Sequence, residues 1–232
     1  PAGLSGCGAT CVDLTNDPSN CGACGNVCDP VLGSCTASSC VCPAGLTPCG
    51  SSNACRDLQN DPTNCAACAR PCGSREYCAA GGCVCRPGLT SCPASGGCVD
   101  VSSHAFNCGG CRRGCVGGTA FCFEGACSAT DCALDTPSAI GCAPSNHSCV
   151  TPATMQSSPI DCGACENFCA VDQVCVSGAC ESFVFGLGCS SCPCPECAAP
   201  SRCCTYPGAP SVVICITSGA ACPSSLLVRC GA

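Results

Sequence analysis

CGATCVDLTNDPSNCGACGNVCDPVLGSCTASSCVC, residues 7–42, carries eight cysteines but only six residues of Val or Leu. The spacing returns in CGSSNACRDLQNDPTNCAACARPCGSREYCAAGGCVC, residues 49–85, and in CPASGGCVDVSSHAFNCGGCRRGCVGGTAFCFEGACSATDC, residues 92–132. A looser fourth copy starts at Cys142 and runs through SCVTPATMQSSPIDCGACENFCAVDQVCVSGAC to Cys180, with Cys189 as its eighth member. Nine residues separate the second and third cysteines in three copies and twelve in the fourth; the next gaps are two, three, five or six, and four throughout. Self-similarity at a fixed period marks a tandem-repeat protein.

Cysteine makes up 40 of the 232 residues, whereas Leu, Ile, Val and Phe together supply 36, about 16%, and Trp is absent. A chain this poor in apolar side chains cannot hold a sizeable core by burial alone. Gly and Pro, 28 and 19 residues, favour turns over long helices. An even number of regularly spaced cysteines then reads as a disulfide framework of up to twenty bridges. Such frameworks persist in oxidising compartments, so the expected location is secreted or extracellular.

The repeats divide the cysteines. Repeat 1 has Cys7, Cys11, Cys21, Cys24, Cys28, Cys35, Cys40 and Cys42, and repeat 2 has Cys49, Cys55, Cys65, Cys68, Cys72, Cys78, Cys83 and Cys85. Repeat 3 has Cys92, Cys98, Cys108, Cys111, Cys115, Cys122, Cys127 and Cys132, and repeat 4 has Cys142, Cys149, Cys162, Cys165, Cys169, Cys175, Cys180 and Cys189. Cys192, Cys194, Cys197, Cys203, Cys204, Cys215, Cys222 and Cys230 follow another spacing and predict a distinct module. The expected domains are 1–48, 49–91, 92–141, a divergent 142–189, and the eight-cysteine module 190–232. Eight per repeat suggests bridging within each repeat, although eight cysteines allow 105 pairings. Bridges inside the Cys40/Cys42 and Cys83/Cys85 pairs are disfavoured by geometry.

The fold class expected is small and disulfide-rich: mostly coil with short β-hairpins, strung into an extended rod, plus a small β-containing C-terminal module. Hairpins are predicted at YCAAGGCVC and FCFEGACS, where Gly marks the reversal. The best strand candidate is SVVICI, 211–216, with SSLLVRC, 224–230, as its expected partner. The six-residue connectors in CPAGLTPC and CRPGLTSC leave little freedom between modules. The chain opens PAGLSGC without Met, which fits either a processed terminus or a position inside a longer array.

The string CVDLTNDPSNCGACGNVC, residues 11–28, resembles the Stig1 (stigma-specific protein) type of cysteine-rich module, and weaker copies extend the resemblance over about 180 residues. The second copy has Asp57 after Arg56 and Ala66 in place of Gly; the third has His104-Ala105-Phe106 where Asp-Pro stands in the first; the fourth has Thr151 in place of Asp. The resemblance implies an extracellular, non-catalytic protein and supplies no ligand.

Ten Asp, five Glu, eight Arg and no Lys give a net charge of −7. Phosphate binding needs a basic stripe and stacking needs aromatics, so nucleic acid is not an expected partner. The longest apolar run, Val212 to Ile216, is far short of the roughly 20 residues of a membrane helix. The CxxC pairs have zinc-knuckle spacing, but an oxidising compartment favours bridges over thiolate ligation. Asp13, Asn16, Asp17, Asp57, Asn60 and Asp61 are weak calcium candidates; no EF-hand pattern surrounds them, and the same residue types bend backbones. The two histidines, His104 and His147, lie in no recognisable nucleophile motif, so an enzyme is not expected and no cofactor is implied. Asn146-His147-Ser148 is a sequon, making Asn146 a glycosylation candidate.

These observations predict a secreted structural protein of a wall, coat, matrix or filament. Its partners would be copies of itself, with other extracellular proteins or glycans as further candidates. Val212, Val213, Ile214 and Ile216 are the expected self-association strand. The alternative is a secreted binding module, a receptor ligand or adhesin, and less readily an inhibitor or toxin.

Overall fold

The computed structural model describes residues 3–116, 121–128, 132, 138–142 and 148–223. It is a small, disulfide-rich fold of short antiparallel hairpins separated by turns. Two compact units divide the chain, 1–72 with 78–82, and 73–77 with 83–232.

In the first unit β1 (Ser5–Cys7) pairs with β2 (Thr10–Val12), β3 (Ser34–Thr36) with β4 (Ser39–Val41), and β5 (Thr47–Cys49) with β6 (Ala54–Arg56). The hairpin of β7 (Glu76–Ala79) and β8 (Gly82–Cys85) has its tip in the first unit and its base in the second. In the second unit β9 (Thr90–Cys92) pairs with β10 (Gly97–Val99). A four-stranded sheet follows in the order β12 (Ala126–Ser128), β11 (Phe121–Phe123), β14 (Ser148–Val150), β13 (Ile140–Cys142). One turn of helix, α1 (Pro152–Met155), comes next, capped by Thr151 Oγ1 accepting from Thr154 N. A second four-stranded sheet has the order β15 (Gln173–Val176), β16 (Ala179–Phe185), β18 (Ala209–Ile216), β17 (Arg202–Tyr206).

The hairpin turns follow from local sequence. At Ala80-Gly81, Glu124-Gly125 and Ser177-Gly178 both central residues have positive φ, the mirror-image turn whose twist matches paired strands. Glycine at the second position carries the larger φ, 79° at Gly125 and 81° at Gly178, without a Cβ penalty. The hairpins β3–β4, β11–β12 and β15–β16 each set two cysteines directly opposite, Cys35 with Cys40, Cys122 with Cys127 and Cys175 with Cys180. They bond elsewhere, to Cys21 and Cys28, Cys108 and Cys115, and Cys162 and Cys169. The hairpin is thereby fastened to the preceding loop on both strands.

The pairing corrects the expectation that each repeat closes on itself. First joins fourth in every repeat, Cys7–Cys24, Cys49–Cys68, Cys92–Cys111 and Cys142–Cys165, and third joins sixth, including Cys65–Cys78. The eighth cysteine, however, bonds to the second cysteine of the following repeat: Cys42–Cys55, Cys85–Cys98 and Cys132–Cys149. The physical reason is the connector, which turns back as the first strand of the next hairpin and returns its leading cysteine to that hairpin's second strand. Cys72 and Cys83 are both disulfide-bonded. Cys11, a second cysteine with no exit cysteine before it in this sequence and counted from the sequence among the bridged ones, has no disulfide partner among the described residues.

Sulfur takes the place of hydrocarbon in the repeats. Cys162, Cys169 and Cys175 form a buried cluster of their own, with Cys180 against it. The apolar core proper lies under the last sheet: Val174, Val176, Phe183, Tyr206, Ile214 and Ile216 pack with Cys204. Tyr77 stacks on Tyr206 at 5.2 Å between ring centroids, and Phe183 meets Tyr206 edge-on at 5.8 Å.

That sheet also changes the expected boundary at residue 189. β16 ends the fourth repeat yet pairs with β18 of the tail, Phe183 opposite Ile216 and Phe185 opposite Ile214. Cys189 is not the exit cysteine of repeat 4 but closes a small loop with Cys194. Cys192–Cys203, Cys197–Cys215 and Cys204–Cys222 fasten the rest of the tail. Cys230 and the expected partner strand at 224–230 lie outside the described residues; the strands that flank β18 are β16 and β17.

Candidate functional site

The oxygen-rich loop after the second cysteine is the first candidate. Asp13 Oδ1 accepts from Thr15 N at 2.9 Å and from the Thr15 hydroxyl at 2.6 Å, and these hydrogen bonds, the hydroxyl first, hold its carboxyl below the ordinary range. Asp17 Oδ1 accepts from Ser19 N and its Oδ2 from Asn20 Nδ2. In repeat 2 Asp57 accepts from Gln59 N and Asn60 Nδ2, and Asp61 accepts from Thr63 N and Asn64 Nδ2. Asn16 donates its backbone N–H to Asp13 O. The carboxylates proposed from sequence as calcium ligands are therefore engaged in bending their own loops.

The diverged copies keep the same turn with other atoms. Where Asp17 and Asp61 accept the N–H two residues on, His104 Nδ1 accepts from Phe106 N and Ser158 Oγ from Ile160 N. The His104 ring must be neutral to accept there. Burial, reinforced by Arg75, lowers its pKa and favours that state. The next position is Asn20, Asn64, Asn107 and then Asp161, and its side-chain oxygen accepts from Gly25, Ala69, Arg112 and Glu166 N in turn.

Asp161 is thus a carboxylate in an amide's place. It is buried, and that burial raises its pKa, with Asp100 and Glu166 adding to the effect and the Glu166 N–H opposing it. A carboxyl that binds its proton more tightly folded than unfolded loses stability as pH rises from the ordinary 3.8 through its raised folded value. We predict that Asp161→Asn raises the unfolding midpoint at pH 7 and leaves it unchanged at pH 3. An equal change at both pH values would refute the assignment.

A groove of about 510 Å3 in the second unit is lined by Pro87, Leu89, Ala153 and Pro159 together with Asp100, Ser102, Glu124, Thr151, Thr154 and Ser157. Asp100 is already occupied by Ser102 N, Ser102 Oγ and Ser103 Oγ. His104 is not among the lining residues.

Sequence reasoning missed Arg86, which is 2% exposed. Its Nε donates to Glu76 O at 3.2 Å, one terminal nitrogen to Gln173 O at 3.2 Å and the other to Ala170 O at 2.7 Å. The connector in CRPGLTSC thereby anchors the loop before β15. The available signal was the connector itself: Arg86 stands where the preceding connector has Pro43. Also missed was Asp29, whose Oδ2 accepts from Cys55 N at 2.9 Å while Oδ1 accepts from Val31 and Leu32 N. With Asn53 Nδ2 bonding to Asn26 Oδ1 and Val27 O, it holds repeat 2 against repeat 1.

The residues expected to mediate self-association are placed elsewhere. Val213, Ile214 and Ile216 are buried and Val212 packs against their cluster. Along Ile214–Ile216 β18 is hydrogen-bonded on one side to β16 and on the other to β17, so those residues present no edge for an added strand. His147 and the glycosylation candidate Asn146 lie outside the described residues.

Comparison with family models, with curated proteins and with solved structures finds no match to this chain. The dense bridging is consistent with an extracellular protein, and among the described residues no helix is long and apolar enough to cross a membrane.

Proposed function

We propose that the chain is a secreted, non-catalytic structural protein of an extracellular wall, coat, matrix or filament, built of Stig1-like modules. The observation that carries this reading is the covalent relay Cys42–Cys55, Cys85–Cys98 and Cys132–Cys149, in which each repeat is bolted to the next. A relay of this kind resists extension and proteolysis, because separating neighbouring modules requires breaking an S–S bond.

With Ile214–Ile216 flanked on both sides, strand addition between copies falls to the outer edge of β17, which among the described residues pairs only with β18 and exposes Arg202 and Thr205. Electron microscopy of the native secretion tests the reading. Ordered polymers are expected, and a monodisperse monomer at every concentration would overturn it. The second reading, a binding module, is favoured by the groove. It predicts that Ala153→Trp, which fills the groove, abolishes binding to an extracellular protein or glycan while leaving assembly untouched.

A further inference from the structure

We infer that Cys11 is the covalent receiving point for the exit cysteine of a further module, a cysteine standing directly before a Pro-x-Gly-Leu connector. Two independent observations carry this. The first is the pairing rule of the other repeats, where Cys55, Cys98 and Cys149, each the second cysteine, bond to Cys42, Cys85 and Cys132 with Cα–Cα distances of 5.6, 5.4 and 5.6 Å.

The second is the local geometry of repeat 1. Cys11 lies opposite Gly6 as Cys55 lies opposite Pro48, Cys98 opposite Ser91 and Cys149 opposite Gly141. Residues 1–4, Pro-Ala-Gly-Leu, repeat residues 43–46, and Gly3 has φ 95° where Gly45 has 89° and Gly88 has 87°. Strand register and connector turn therefore coincide with those that deliver an exit cysteine to its partner. Cys11 is exposed, whereas Cys55, Cys98 and Cys149 are 2%, 5% and 5% exposed, so the thiol is open to a partner.

Bond formation follows thiol–disulfide exchange. An oxidant of the disulfide class, such as oxidised glutathione or the active-site disulfide of a secretory oxidoreductase, is attacked by one thiolate to give a mixed disulfide. The second thiolate displaces the reduced half, so two thiols lose two protons and two electrons and the oxidant leaves as two thiols. The incoming cysteine can belong to an upstream segment of the same polypeptide or to a second one; the chemistry is shared. The inference does not depend on the structural role, since a binding protein of the same modules would carry the same link.

The test is a thiol map of the protein as secreted. Free thiols are alkylated without reduction, the chain is cleaved between cysteines, and linked peptides are read by mass. The expected result is no alkylation at Cys11 and a Cys11 peptide bonded to one that ends a module ahead of a Pro-x-Gly-Leu turn. Unchanged mass on a non-reducing gel assigns it to the same polypeptide, and an increase assigns it to a second one. Full alkylation of Cys11, a small-thiol adduct alone, a Cys11–Cys11 dimer, or a bond to Cys230 of the same chain would each overturn the inference. Cys11→Ser should remove this link and leave Cys7–Cys24 intact; should that variant misfold, the wild-type map still decides.

Discussion

Stepwise reduction is expected to dismantle the first unit while the last sheet still holds, and complete reduction to abolish the folded state. The bridges in the repeats close loops whose sequence separations run from 11, Cys169–Cys180, to 23, Cys142–Cys165. Each loop of this size restricts the unfolded chain by about 3 kcal/mol. Typical domains are stable by only about 5–15 kcal/mol in total, so losing four or five bridges exhausts the margin. The first unit has little to fall back on: its buried hydrophobic residues are cysteines. The second has Val174, Val176, Phe183, Ile214 and Ile216 under one sheet, and their burial survives the loss of sulfur links for longer. Hydrogen exchange read by mass after graded reduction checks the order. Amides of β3 to β6 should exchange freely while those of β16 and β18 stay protected. Simultaneous loss of both, or the reverse order, would show that the apolar cluster contributes no separate stability.

The second large effect is expected at Arg86. Arg86→Met keeps much of the side chain's volume but removes the donor to the carbonyls of Glu76 and Gln173 and leaves Ala170 O with the Gln173 N–H alone. A buried polar group left unpaired costs about 1–3 kcal/mol, so a loss of roughly 3–5 kcal/mol is expected in the second unit. Exposed Arg70→Met serves as control and should lie within about 0.5 kcal/mol of wild type. Denaturant midpoints followed by exchange in β15 measure the difference. If the two variants are indistinguishable, Arg86 is not the anchor of that loop.

The hairpins, the repeat and the strand at 211–216 were legible in the sequence because each depends on neighbours close along the chain. Gly and a mirror-image turn specify a hairpin locally, and Ala80-Gly81 or Ser177-Gly178 announce it. The loop after the second cysteine was legible as a turn, but its persistence was not. His104 and Ser158 share no chemical type with Asp17, only a suitably placed acceptor for an N–H two residues on. Pairing across repeats was hidden for another reason. Cysteine spacing marks where modules recur but not which strand a connector turns into, and Cys42 reaches Cys55 only because Thr47–Cys49 folds back on Ala54–Arg56. Likewise an apolar run such as SVVICI reads the same at an edge as in the middle of a sheet. What put it in the middle was β16, an extension of a hairpin that the repeat pattern alone would have ended at Cys180.

The stacked pair Tyr77 and Tyr206 makes up every tyrosine in the chain, and there is no tryptophan. Ordinary proteins average their phenol absorption over scattered sites; here one ring pair supplies it all. Intrinsic tyrosine emission of the native protein therefore watches a single place, where the base of the β7–β8 hairpin meets the tail's sheet. Burial holds the Tyr206 hydroxyl above the ordinary phenol pKa of 10.0, so in an alkaline titration its ionisation should lag until that contact opens. The molecule carries its own optical gauge of that junction, readable without a label.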